Sequence, residues 1–301
     1  MSWLVVAILA YFIFAVVFLI DKYLLVSSIK NPKLYTFYTG VLRVLIVVLI
    51  PFVDFKFPGV YQIILSFLAG GFFVLALFWF FKGLSLFEPS RIVPAIGGAI
   101  PVFTFLFVLI ISAGKEIPAP RDLLALLILI CGSVLISYEK AKKVSFESLR
   151  ISITAAFFLA ISFVLAKYVY LAQPFLQGLI WINIGGFFTA LLFLLSKEAR
   201  DNLFQIKMLM SKKTATIFIS NQAMGAGAAI LQFWAIALAP LAYLAFVNAL
   251  QGTQYVFLLG LAVLLSVKFP QILKEEISRE VIFQKITAIL LIGAGLVLLA
   301  F

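Results

Sequence analysis

Residues 1–25, MSWLVVAILAYFIFAVVFLIDKYLL, contain an unbroken apolar run from Trp3 to Ile20. As a helix rising 1.5 Å per residue, such a run crosses most of the roughly 30 Å hydrocarbon core of a bilayer. It is too long for a signal-peptide core and has neither a basic start nor a clear small-residue cleavage site, so it reads as a retained first span. The whole chain has the same character: of 301 residues, 65% are hydrophobic, 16% aromatic and only 12% charged. A soluble domain carries about 25% charged residues. Too little polar surface is left to coat a water-soluble globule, which excludes an ordinary cytosolic enzyme.

Further apolar runs fall near residues 34–53, 60–81, 91–112 and 122–138, then after a polar link near 151–171, 175–195, 214–238, 241–267 and 282–301. The expectation is an all-α integral membrane protein of ten spans. The first five occupy residues 1–138, a basic linker covers 139–149, and the second five occupy 150–301. FLIDKYLL, ending the first span, resembles FVLAKYVYL, ending the sixth, and sets Lys22 opposite Lys167. Residues 83–103, GLSLFEPSRIVPAIGGAIPVF, align without a gap on residues 237–257, ALAPLAYLAFVNALQGTQYVF, matching Leu84 with Leu238 and Gly98 with Gly252. An odd number of spans per half makes the two copies insert with opposite orientation, as an inverted repeat.

The formal charge of +11 resides in short links rather than in a nucleic-acid-binding patch. Eighteen lysines and arginines fall on one side of the ten spans and four on the other, with Arg43 inside the second span. The excess of basic residues marks the cytoplasmic side and places both termini on the opposite face of the cell membrane. The chain has no histidine, which removes imidazole metal sites and His-dependent catalysis. Its one cysteine, Cys131, forms no intrachain disulfide and sits in an apolar helix as a packing residue. No Gly-rich phosphate loop is present, so neither ATP-driven transport nor any cofactor is called for.

Candidate functional residues are the polar groups at depth. Arg43, in YTGVLRVLIVVLIPF, costs a few kcal/mol if it faces lipid. It serves either as a cavity cation for a carboxylate or phosphate, or as a structural group held by backbone carbonyls. Lys22 and Lys167 sit near span ends, where snorkelling to headgroups competes with a cavity role. The fourth span contains Pro94, Gly97, Gly98 and Pro101 and is expected to kink or unwind. Its counterpart, the ninth, carries Asn248, Gln251 and Tyr255 on one helical face, and the eighth has Asn221 and Gln232 near one face. Trp234 is an expected aromatic lining. The carboxylates Asp21, Asp54, Glu88, Glu116, Asp122 and Glu276 read as hydrated residues at span ends or in links. Glu88, in the turn Glu88-Pro89-Ser90-Arg91, either closes one mouth of a cavity or simply forms a solvated turn. Residues 268–285, KFPQILKEEISREVIFQK, read as an amphipathic surface helix.

These landmarks resemble the EamA-type members of the drug/metabolite transporter superfamily: two five-span halves, a lysine closing the first span of each, IPVFTFLF around Pro101, Lys115-Glu116 after the fourth span, and glycines Gly132, Gly293 and Gly295 in the last span of each half. The resemblance implies a monomeric inverted-repeat carrier with a central cavity that exports a small organic solute and is not an enzyme. Several features depart from the pattern: Tyr255 stands where the repeat offers a proline, an extended link precedes Glu276, the charge count puts the termini outside rather than in the cytoplasm, and the first span lacks the deep Glu that short multidrug-exporting relatives use for proton exchange. The rival reading is a non-transporting scaffold or lipid-handling protein.

Overall fold

A computed structural model describes residues 2–87, 89–137, 145–197, 212–268 and 279–300. Among them the regular structure is entirely helical. In chain order the helices are α1 Ser2–Ser27, α2 Pro32–Leu42, α3 Val60–Leu86, α4 Pro89–Ile111, α5 Pro120–Ser137, α6 Phe146–Ala172 and α7 Phe175–Leu192. They continue with α8 Lys212–Leu238, the short α9 Leu244–Ala249, α10 Gln251–Lys268 and α11 Arg279–Ala300. The second span does not stay α-helical; from Arg43 to Phe52 it tightens into a 3-10 helix that includes Pro51.

Local chemistry sets several starts. Pro32 occupies the first turn of α2, where its missing N–H is not needed, and Asn31 accepts from the Lys33 and Leu34 amides at 2.9 and 3.2 Å. Ser145 caps α6 by accepting from the Ser148 amide at 3.1 Å.

Six helices among the described residues are long and apolar enough to cross a membrane: Ser2–Ser27, Pro32–Phe52, Val60–Leu86, Ile92–Ile111, Phe146–Ala172 and Phe175–Leu195. The other expected spans are helical but less apolar or shorter. α5 starts with Arg121 and Asp122, α8 carries amides and small residues, α9 and α10 are separate pieces, and the apolar part of α11 is only Ile286–Leu298. Large hydrophobic side chains such as Val5, Leu45, Val48, Ile64, Ile110 and Leu127 lie on the outside, as expected of a bundle whose solvent is acyl chain.

The prolines of α4 do not unwind it. The helix runs through Pro94 and Pro101, and the interruption falls instead in its counterpart, at Leu250 between α9 and α10. Pro94 is the sixth residue of the helix, and Tyr255 of α10 donates to the carbonyl of the adjacent Val93. Linker residues 139–144, Glu88, and residues 269–278 of the expected amphipathic segment lie outside the described residues.

Packing is pairwise and balanced. α3 packs on α6 and α7, α1 on α8, α5 on α11, and α4 on α6 and α9, while α1 also meets α10. The α3–α7 contact is close enough to need glycine. A Cβ at Gly70 would fall 1.9 Å from the Ile182 carbonyl oxygen, and one at Gly185 would fall 2.4 Å from Phe67 Cα. Small residues let two backbones approach in the way that membrane helix pairs exploit.

Candidate functional site

The polar residues on the inner helix faces form three clusters. The first lies where α4 meets the interrupted α9–α10 helix. Tyr255 donates to the Val93 carbonyl at 2.9 Å, and Asn248 Nδ2 donates to Thr104 Oγ1 at 2.9 Å. Tyr11 of α1 donates to the Val247 carbonyl at 2.9 Å and receives Gln232 Nε2 from α8 at 3.3 Å. Gly97 makes this possible, because a Cβ there would sit 1.8 Å from Tyr255 Oη and 2.9 Å from Gln251 Cδ. Gly98 faces Val134 of α5 instead. The amides expected to face inward therefore do so: Asn221, Gln232, Asn248 and Gln251 are all buried. The side-chain nitrogens of Asn221, Gln232 and Asn248 join helices, whereas Asn221 Oδ1, Asn248 Oδ1 and both side-chain atoms of the fully buried Gln254 have no partner.

The second cluster surrounds Asp21 and corrects its reading as a hydrated carboxylate. Asp21 is 3% exposed, and its Oδ1 accepts from the Tyr35 hydroxyl at 2.6 Å and from Asn221 Nδ2 at 2.7 Å. Hydropathy placed it at a span end. The helix continues six residues further and is covered there by α2 and α8.

The third cluster contains Arg43, near the middle of the Pro32–Phe52 helix. Its guanidinium carbon stands 4.5 Å from the Phe73 ring centroid, and Nε is enclosed without a hydrogen-bond partner. A Cβ on Gly186 would come within 2.8 Å of that nitrogen, so α7 holds the side chain against α3 through a glycine. Among the described residues no carboxylate pairs with Arg43. Thr39 Oγ1, Tyr170 Oη and Trp181 Nε1, on the neighbouring helices α2, α6 and α7, are also buried without a partner. Thr39 stands one helical turn before Arg43, whereas Trp181 packs on Phe55 and Phe67. Sequence reasoning singled out Arg43 but not the buried hydroxyls of Thr39 and Tyr170, because nothing in their local sequence says which helices cover them.

Lys22 and Lys167 point elsewhere than the clusters. Lys22 Nζ donates to the Leu84 and Phe87 carbonyls at 2.6 and 2.8 Å, at the end of α3. Lys167 Nζ donates to the Ala237 and Ala239 carbonyls, at the end of α8. Each ammonium satisfies carbonyls that a helix C-terminus leaves open and sits at the negative end of its dipole. Trp234 is 43% exposed on the outer face of α8, away from the buried amides, and does not line them. Two residues, little more than half a turn of helix, separate inside from outside, and Gln232 took the inner position.

No family model matches the chain, and no curated protein matches it. Among solved structures, a crystal structure described only as that of a protein superposes on 99% of this chain and 94% of its own, with a TM-score of 0.64 at 15% identity. At that identity the likeness shows a shared fold over nearly the full length and nothing of function.

Proposed function

We propose that this chain is a secondary carrier of the drug/metabolite transporter type that exports a small organic solute bearing a carboxylate or phosphate. Arg43 receives the anionic group. The observation that carries the reading is a guanidinium at mid-helix with an enclosed, unpartnered Nε and no carboxylate beside it among the described residues. A charge at the centre of a membrane helix costs about 2.5–3.5 kcal/mol even by insertion measurements. A bound anion offsets that cost, and the unpaired hydroxyl of Thr39, one helical turn before Arg43, supplies a neutral donor.

Alternating access in such a protein needs two halves that can rock about a midplane site. Several pairings support an inverted repeat within ten spans. α1 packs on α8 as α6 packs on α3, and α4 meets α6 as the α9–α10 helix meets α1. Lys22 caps the third helix of the first half, and Lys167 caps the third helix of the second. Val93 and Val247, equivalent in the alignment of residues 83–103 with 237–257, both offer their carbonyls to a tyrosine hydroxyl. The interruption at Leu250 supplies a natural place for bending. In this reading the chain works as a monomer in the cell membrane, with both termini on the non-cytoplasmic side.

The test is uptake by liposomes containing purified protein, using a panel of radiolabelled small carboxylates and phosphate monoesters. Arg43→Gln removes a charge-assisted hydrogen bond worth about 1.5–3 kcal/mol, so apparent affinity falls about ten- to a hundred-fold while the protein still folds. Absence of flux across the panel, or an Arg43→Gln protein that transports as wild type does, overturns the proposal.

A further inference from the structure

The anion-binding reading leaves one buried ionisable group unused. Asp21 projects from α1 into a contact with α2 and α8, so its neighbours come from both halves of the chain. The Tyr35 hydroxyl and Asn221 Nδ2 both donate to the same oxygen, Oδ1, and Gln222 Nε2 approaches the Tyr35 hydroxyl at 3.4 Å. Phe81 and Phe218 pack edge-on against the Tyr35 ring with centroids 4.7 and 5.4 Å away, which covers the cluster from α3 and α8.

Charge compensation is missing. Lys22, the next residue on α1, turns to the end of α3, and Lys82 of α3 lies over the Trp79 ring. From α2 the titratable neighbour is Tyr35, and from α8 the facing groups are the neutral amides Asn221 and Gln222. Among the described residues no basic side chain pairs with Asp21. An ionised carboxylate enclosed in this way carries a desolvation cost of several kcal/mol.

The open valence in the cluster shows what relieves that cost. Asn221 Oδ1 is buried and has no hydrogen-bond partner, although the nitrogen of the same carboxamide already donates to Asp21. A proton on Asp21 Oδ2 neutralises the carboxyl and provides the donor that Asn221 Oδ1 lacks, pairing acid and amide face to face. A metal cation suits the site poorly, because it takes about six oxygen ligands, and Asp21 Oδ2 and Asn221 Oδ1 would supply two. We propose that Asp21 is a proton-binding site whose occupancy sets the contact between α1 and α2 of the first half and α8 of the second. Its proton is taken up and released as the halves move. That the proton crosses with or against the solute rests on the carrier reading; the site itself does not.

Infrared difference spectra of the detergent-solubilised full chain, recorded as pH is stepped across neutrality, read the site directly. Wild type gains a protonated-carboxyl stretch on acidification. Asp21→Asn loses it, Asp21→Glu keeps it at a shifted frequency, and Asn221→Leu displaces it by removing the amide partner. Wild-type and Asp21→Asn spectra that change identically overturn the proposal, as does a band that follows sodium concentration rather than pH. If Asp21→Asn does not fold, the Asp21→Glu and Asn221→Leu shifts decide. In liposomes, an imposed pH gradient changes the flux of whichever panel solute moves in wild type and leaves Asp21→Asn unresponsive. Solute flux blind to the gradient in wild type refutes coupling. Absence of any flux counts against the carrier reading alone, and the infrared band then decides the proton site.

Discussion

Replacing Gly97 with alanine tests whether the α4–α10 contact is built as described. The added methyl would lie 1.8 Å from Tyr255 Oη, 3.0 Å from its Cζ and 2.9 Å from Gln251 Cδ. Ordinary contact needs close to 3.5 Å, so the phenol must retreat by well over 1 Å and leave the Val93 carbonyl it now reaches at 2.9 Å. Overpacking of this kind costs about 1–3 kcal/mol, and stranding a buried hydroxyl costs about 1–3 kcal/mol more. The expected loss is therefore about 2–6 kcal/mol, read by SDS-induced unfolding in mixed micelles followed by circular dichroism. Tyr255→Phe alone loses only the hydrogen bond, about 1 kcal/mol. It also removes the atom that clashes most, so the double variant should be less destabilised than the sum of the two, with a coupling of about 1 kcal/mol or more. Strict additivity, or a Gly97→Ala protein as stable as wild type, refutes this account of how α4 and α10 meet.

Gly70→Ala presses a methyl on the backbone of α7, which cannot rotate away as a side chain can, so it should destabilise the protein. Gly227→Ala, with nothing within 4 Å of the added carbon, should be neutral or slightly stabilising; equal effects in the same unfolding assay would contradict the close α3–α7 approach. Lys167→Met withdraws the ammonium from the Ala237 and Ala239 carbonyls. It should cost about 1–3 kcal/mol and speed amide exchange at the end of α8. If it changes only the apparent affinity for a transported solute and leaves exchange untouched, the lysine serves the solute and not the helix end.

Much of the fold was legible because burial in lipid leaves a one-dimensional trace: long apolar runs and short basic links. The inward amides were legible for the same reason, since Asn221, Gln232, Asn248 and Gln251 at helical spacing had few places to go other than the bundle interior. The misplaced residues each failed for a definable reason. Trp234 is two positions from Gln232, and a rotation of about 200° around the helix puts it outside. Asp21 looked hydrated because hydropathy sees where a helix stops being apolar, not what α2 and α8 lay over it. α4 was expected to kink or unwind at its prolines; it stays helical through them, and a break falls at Leu250 in the ninth span.

The amino-acid order by itself determined the helical, membrane-embedded class of this protein and the depth of Arg43, because both follow from the free energy of moving side chains between water and hydrocarbon, which is nearly local. Only the tertiary structure decided that Arg43 stands over Phe73 without an acid, that Lys22 and Lys167 close helix ends, and that Asp21 meets Asn221 across the two halves. Those outcomes depend on which helices touch and at what rotation, and that is fixed by the close approach of small residues hundreds of positions or a few turns apart, not by the hydropathy of any one segment.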